Sequence, residues 1–270
     1  MDNRINNSIT TGILWKEMLL FCIPIMIGTL FQQLYNAVDV IVVGKFVSTT
    51  ALACVGGSSG MMINLFVGFF VGMTSGVTVV IAKKFGAQDY TSLQEALHTS
   101  IALSIMGGIV FSFLGILFAP SMLKLLGTPI DLMEGSLLYL RIYFFGLTFT
   151  FLFNTGSAIL RALGDSKRPL YYLMICCIVN IILDILFVVV FKFGIAGVAI
   201  ATSVAQACSA FLVLSTLTKL DIHYRLSWNQ VCFHKFVLKD MLKIGLPAGV
   251  QSVMNSLSGM IMTSAVNSLG

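Results

Sequence analysis

Two aspartates lie deep inside apolar stretches of the sequence, where they could bind a cation. Asp39, in NAVDVIVVG, stands in the last third of a run of about thirty mostly apolar residues, and Asp184 lies within IVNIILDILFVVV. An aspartate at the centre of a membrane-spanning helix costs about 2.5–3.5 kcal/mol on insertion scales. Packing alone would favour leucine at both positions, so the two acids suggest a function.

Other polar side chains share helix faces with these acids. On a helix, Gln32, Asn36 and Asp39 form one stripe because they are spaced by four and three residues. Asn180 and Asp184 are spaced by four and also share a face. The sequence therefore predicts a polar face on each of two apolar helices.

The spacing predicts that the acids lie at similar depth. At about 1.5 Å per residue, Asp39 lies about 9 Å from Lys45 and Asp184 about 12 Å from Lys192. Thr202 lies about 15 Å from Lys192 in the next helix, so its hydroxyl falls in the same layer.

Two carboxylates, an amide and a hydroxyl offer oxygen ligands for Na⁺, or a carboxyl pair that holds a proton through desolvation and repulsion. The alternative is that each aspartate is a protonated or hydrogen-bonded contact between helices.

The composition indicates an integral membrane protein. The chain has 270 residues, of which 57% are hydrophobic and 10% charged, a balance that a soluble domain could not cover with polar surface. The net charge of +5 comes from basic residues between the apolar runs, so it reports topology and does not suggest nucleic-acid binding. The N-terminus lacks the features of a cleaved signal peptide, so we expect the first helix to be retained.

The hydrophobic runs predict an all-α bundle of six membrane-spanning helices followed by a seventh helix. The predicted spans are 15–44, 53–82, 95–118, 134–160, 170–191 and 196–218, with the seventh from about 241.

The distribution of basic residues predicts a cytoplasmic N-terminus, because cytoplasmic loops carry an excess of Lys and Arg. With that orientation, twelve basic residues fall inside and three outside. The inside set is Arg4, Lys16, Lys83, Lys84, Arg161, Lys167, Arg168, Lys219, Arg225, Lys235, Lys239 and Lys243, and the outside set is Lys45, Lys124 and Lys192.

An internal repeat predicts two lobes. WKEMLLFCIP (15–24) and LKDMLKIGLP (238–247) share Lys, Met, Leu and Pro at matching positions. Six spans separate the copies, which returns the chain to the same side and predicts a parallel repeat. We expect a six-helix lobe at 1–220, a cytoplasmic linker at 221–240, and at 241–270 the first helix of a second lobe, cut short and loosely attached.

Several further residues have predictable structural roles. Gly68, Gly72 and Gly76 recur every four residues and should allow another helix to approach closely. Pro24 stands in mid-helix, where it removes a main-chain hydrogen bond and could act as a hinge or a static bend.

The histidines (His98, His223 and His234) fall in polar connections without ligand spacing, so we expect them to be solvated and to form no metal centre. The six cysteines form no CxxC pair, so we expect no metal centre and no disulfide from them.

Three segments resemble the multidrug and toxic compound extrusion (MATE) family of cation-coupled exporters: IPIMIGTLFQQLYNAVDVIVVGKF, ILRALGDSKRPLYYLMICCIVNIILDILFV and GIAGVAIATSVAQ. The resemblance covers nearly the whole chain. It implies twelve helices in two six-helix lobes, and export of amphiphilic, often cationic compounds in exchange for Na⁺ or H⁺.

The resemblance also implies functional residues. The family's cation site in the first lobe matches Asp39, Asn180, Asp184 and Thr202, with Asn154 as a further candidate. The family's bending proline in the first helix matches Pro24. We assign Gln32 and Asn36 to substrate binding, because they share the polar stripe of Asp39.

The sequence allows two other functions to be considered. A flippase of lipid-linked sugars would line its cavity with basic residues, and here Arg141 is the one candidate within a span. A membrane-embedded enzyme would need a catalytic partner such as histidine near the deep acids, and none is present in the sequence around them. We expect a non-enzymatic transporter in a bacterial plasma membrane, with no cofactor besides the coupling ion. Its expected partners are lipid, an amphiphilic substrate and the second lobe, and not nucleic acid.

Overall fold

The computed structural model describes residues 14–221 and 224–269, and most of these residues are helical. Residues 1–13, including Arg4, together with Ile222, His223 and Gly270, lie outside this description. In chain order the helices are α1 (Leu14–Phe46), α2 (Thr49–Gly56), α3 (Ser58–Gly86), α4 (Tyr90–Leu125), α5 (Ile130–Ala162), α6 (Lys167–Asp184) continued by a π-helix (Ile185–Val190), α7 (Ile195–Thr218), a 3-10 turn (Trp228–Gln230) and α8 (Lys235–Leu269).

The prediction of six membrane spans is confirmed, because six helical segments of the described chain are long and apolar enough to cross a membrane. The second predicted span consists of two helices, α2 and α3, which meet at Gly57. A Cβ at Gly57 would lie 2.6 Å from the carbonyl oxygen of Ala53, so this break requires glycine. Ser48 caps α2 by accepting a hydrogen bond from the Ala51 amide.

Helix α5 lies at the centre of the lobe, where small residues allow its neighbours to approach closely. A Cβ on Gly108 of α4 would lie 2.7 Å from the Cα of Thr148 on α5. On the other side of α5, a Cβ on Gly156 would lie 2.5 Å from a methyl group of Val213 on α7. These contacts hold α4 and α7 against α5, and aromatic rings such as Phe151 fill the remaining core.

The seventh helix, α8, packs tightly against α3, so the prediction of a loose attachment is wrong. A Cβ on Gly72 would lie 2.6 Å from the carbonyl oxygen of Ala248, and a Cβ on Gly76 would collide with that of Met241. In return, a Cβ on Gly245 would lie 2.6 Å from the carbonyl oxygen of Met73. The prediction that the α3 glycines admit a neighbouring backbone is confirmed. We call this contact the α3/α8 seam.

The segment before α8 is held on the lobe by His98, which we expected in a solvated connection. That prediction is wrong, because His98 lies on α4 and is 2% exposed. Its Nδ1 lies 2.7 Å from the carbonyl oxygen of Gln94 and therefore carries the proton, while Nε2 accepts a hydrogen bond of 3.0 Å from the Ser227 amide. The neighbouring Thr99 accepts a hydrogen bond of 3.1 Å from the His234 amide. Linker residues thus fold back onto α4, a long-range contact that no local pattern shows.

Candidate cation site

The buried face of α1 directs Asp39 into the lobe. Buried positions recur along this helix at intervals of three, four or seven residues, as expected for one helix face. They include Pro24, Gly28, Tyr35, Asp39 and Val42.

Helix α6 is the main partner of α1. A Cβ on Gly28 would lie 3.6 Å from the Leu173 side chain of α6, which is ordinary contact distance. Because α1 and α6 pack along their length, Asp39 comes to lie beside Asp184 at the far end of α6.

The structure brings four of the predicted site residues together. The carboxyl group of Asp39 lies within interaction range of the side chains of Asp184, Asn180 and Thr202. All four are buried: their exposed fractions are 7% for Asp39, 1% for Asn180, 0% for Asp184 and 4% for Thr202. Three helices, α1, α6 and α7, therefore contribute to one polar cluster.

The oxygens of this cluster have few protein partners. Within the described ranges, Oδ1 of Asp39, both carboxyl oxygens of Asp184 and both amide atoms of Asn180 are buried without a hydrogen bond. The hydroxyl of Thr202 donates to the carbonyl oxygen of Val198 at 3.0 Å, which leaves its lone pairs available. Buried polar atoms are rarely left unpaired, so such a set calls for an explanation. Its donor set suits a hard monovalent cation such as Na⁺, or a proton shared between the acids.

No basic side chain of residues 14–221 and 224–269 neutralises the two acids. The ion pairs of this part of the chain are Lys84–Asp89, at 3.4 Å, and Arg168–Asp165, at 3.1 Å, and both lie near helix ends. Neither Asp39 nor Asp184 therefore forms an ion pair within the described part of the chain.

Sequence reasoning missed two features beside the acids. The π-helix begins directly after Asp184, and π-helical turns frequently mark functional sites. Tyr139 of α5 is buried in one cluster with Val42, Val188 and Val198, which lie within one helical turn of Asp39, Asp184 and Thr202 respectively. Tyr139 also interacts electrostatically with both acids. The aromatic run around it gives no local signal of this position.

Asn154 lies further along α5 than the four clustered residues. Its Nδ2 donates to the carbonyl oxygen of Thr150 at 2.8 Å. The close approaches of Gly146 to Ser203 and of Gly156 to Val213 fix the register of α5 and α7. In that register Asn154 stands about nine residues beyond the level of Thr202, or about 14 Å. Its membership of the cation site stays a prediction.

The remaining predicted residues lie on α1. Pro24 is buried within a helix that continues from Leu14 to Phe46, and its role as a hinge stays a prediction. Gln32 and Asn36 are exposed, so their side chains are accessible to a substrate or to lipid.

A separate cavity of about 500 Å³ lies between α3 and α8, beyond the α3/α8 seam. Its lining combines apolar Met61, Val67 and Val71 with polar Asn64 and Ser256. Small-molecule sites commonly have this size and this mixture of an apolar wall with a few polar groups.

Comparison with known proteins identifies relatives along most of the chain. The family model MatE matches residues 24–186. The "Probable multidrug resistance protein YoeA" of Bacillus subtilis (strain 168) is 31% identical over 265 residues, which cover 95% of this chain and 57% of that relative. This chain therefore spans a little more than half the length of the relative.

Solved structures match over a similar extent. A crystal structure of MATE in the bent conformation superimposes with a TM-score of 0.86 at 26% identity, covering 94% of this chain and 57% of the other. An outward-facing multidrug resistance MATE family transporter of the MOP superfamily gives a TM-score of 0.84 at 26% identity over 92% of this chain and 55% of the other. With a family model that matches more than half of its residues, this membrane-embedded helical chain belongs to the MATE family of transporters.

Proposed function

We propose that this chain forms the cation-binding lobe of an antiporter that exports amphiphilic, often cationic compounds in exchange for Na⁺ or H⁺. The observation that carries the proposal is the buried pair Asp39 and Asp184. Within the described ranges, three of their four carboxyl oxygens have no hydrogen-bond partner, and neither acid forms an ion pair with a basic side chain. A cation that binds there would remove the repulsion between the acids and would be coordinated by their unpaired oxygens.

Coupling follows if the cation favours one arrangement of the helices over another. A ligand shifts a conformational equilibrium only through a difference in its affinity for the two states. Asp39 lies on α1 and Asp184 on α6, so a bound cation would draw the two helices together. Without it, repulsion would favour their separation, and Pro24 would allow α1 to bend.

Export also requires a second body. In alternating access, two bundles move around a shared site, and one lobe cannot expose that site to each side in turn. Helix α8 supports the proposal of a second bundle. It packs on α3 through the α3/α8 seam and borders the cavity beyond that seam. We place the N-terminus and the linker in the cytoplasm of a bacterial cell, so that this cavity faces outward.

The deciding experiment measures transport in a full-length transporter that contains these residues. After reconstitution in liposomes, an imposed Na⁺ or H⁺ gradient should drive movement of a fluorescent lipophilic cation. Asp184→Asn should abolish gradient-driven transport, because asparagine keeps the shape and loses the charge. Asp131→Asn, which changes an exposed acid at the start of α5, is the matched control and should transport normally. Transport by Asp184→Asn at the rate of the control would disprove the proposal.

A further inference from the structure

Gln206 of α7 is a buried polar residue that the cation site does not include. It is 5% exposed, and its Oε1 has no hydrogen-bond partner in the part of the chain that the structure describes. It follows Thr202 by four residues, so it stands one helical turn, about 6 Å, further along the same face. An amide oxygen is thus buried one helical turn away from Thr202 of the acid cluster.

Gln206 belongs to a polar stripe on α7. At 100° per residue, Thr202, Gln206, Ser209 and Thr216 fall within about 80° of one another on the helix surface, and they extend over about 21 Å of its length. The stripe begins at the acid cluster, and Thr216 lies two residues before the end of α7 at Thr218. Under the proposed orientation, that end is cytoplasmic.

Helix α6 faces this stripe with polar groups of its own. The hydroxyl of Ser209 lies 3.4 Å from the carbonyl oxygen of Tyr172 and 3.1 Å from that of Ala205 on its own helix, and the Tyr172 hydroxyl lies 2.5 Å from that of Thr216. At the other end, Asn180 of α6 and Thr202 of α7 both interact with Asp39. Gln206 lies between these two levels and fills the interval between the acid cluster and Ser209.

We infer that Gln206 is a second station for the coupling cation, which it receives from Asp39 and Asp184 on the way to the cytoplasm. This inference rests on the proposed function. Gln206 could serve either coupling cation, because its amide oxygen is a neutral acceptor. It can bind Na⁺ directly, or it can accept a hydrogen bond from a water that carries the proton. A neutral ligand holds the cation more weakly than the acid pair and therefore allows it to leave.

The test separates cation binding from cation release. Full-length transporter containing these residues is reconstituted as wild type, Gln206→Leu, Gln206→Asn and Ser203→Ala. The last is the control, since the Ser203 hydroxyl donates to the Ala199 carbonyl on its own helix at 2.8 Å and lies about 100° around α7 from Thr202, against Gly146 of α5. For each variant, the maximal exchange rate and the half-saturating cation concentration are measured with Na⁺ varied at fixed pH and with pH varied at fixed Na⁺. The titration in which the exchange rate of the wild type changes identifies the coupling cation.

For Gln206→Leu we expect a maximal rate at least tenfold lower and a half-saturating concentration within twofold of wild type. Gln206→Asn should recover to within about threefold of the wild-type rate, because it keeps the amide oxygen. A rate for Gln206→Leu equal to that of Ser203→Ala would overturn the inference. So would a fall in melting temperature and affinity that parallels the fall in rate, because that pattern indicates a structural role. Asp39→Asn distinguishes the two proposals: if it leaves cation-driven exchange intact, the proposed function itself fails.

Discussion

Asp39 of α1 and Asp184 of α6 interact side chain to side chain inside the lobe, and neither has a basic partner in the described ranges. Two carboxylates brought together in a buried site repel each other unless a cation or a proton intervenes. From this relationship we expect a link between the stability of the lobe and the ions around it.

This link predicts a change in thermal stability that can be measured without transport. In cation-poor buffer, Asp39→Asn should raise the melting temperature of the 270-residue chain, because it removes the repulsion. Na⁺ or acidification should stabilise the wild type and leave the variant nearly unchanged. At a cation concentration of 100 times Kd, binding adds about 2.7 kcal/mol. Equal stabilisation of both proteins by the cation would contradict the prediction, and Asp131→Asn serves as the control.

Thr202→Val should weaken cation binding without abolishing it. Valine has nearly the same shape as threonine and lacks the hydroxyl, so one neutral ligand is lost while both acids remain. We expect about tenfold weaker binding, equivalent to about 1.4 kcal/mol. Titration of the melting temperature with Na⁺ and with pH measures this affinity. An unchanged midpoint in both titrations would exclude the Thr202 hydroxyl from the site.

The α3/α8 seam should tolerate no side chain at its closest point. Gly72→Ala places a methyl group against the backbone of Ala248 and Gly249, and such overpacking typically costs about 1–3 kcal/mol. Gly86→Ala is the matched control at the end of α3, because nothing lies within 4 Å of its Cβ position. Thermal unfolding of the 270-residue chain compares the two variants. Equal melting temperatures would show that α8 does not rely on this contact.

Removal of the His98 side chain should release the linker. His98→Ala leaves the part-buried Ser227 amide without its acceptor, and the loss of one hydrogen bond costs about 0.5–1.5 kcal/mol. We expect faster proteolytic cleavage between residues 221 and 234. The control is Gln230→Ala, which changes an exposed residue of the same linker. Cleavage of both variants at the same rate would remove His98 from the docking of the linker.

The orientation predicts which side of the membrane each connection occupies. In a chain whose native cysteines are replaced, a membrane-impermeant thiol reagent added to intact cells should label a cysteine at Thr49 and not one at Lys167. Both residues are exposed, whereas Ser166 next to Lys167 is buried and would give a false negative. The opposite labelling pattern would invert the topology.

Local patterns predicted the six spans and the layer that contains Asp39, Asp184 and Thr202, because helix length and depth follow from counting residues. They did not predict the docking of His98 or the tight packing of α8. Both depend on contacts between residues more than a hundred positions apart, and neither a histidine in a polar segment nor a helix after a linker reveals its partner. The position of Gln206 was missed for a related reason, since only the packing of α6 on α7 distinguishes it from an ordinary polar residue.

The docked linker has a consequence for biogenesis. A chain is synthesised from its N-terminus, so the first six spans can assemble before anything beyond Thr218 has left the ribosome. When residues 224–234 emerge, the sites that hold them on α4 already exist, and the start of α8 at Lys235 is fixed at the edge of α3. We therefore expect the first six spans to act as a template that sets the place and direction in which α8 enters the membrane.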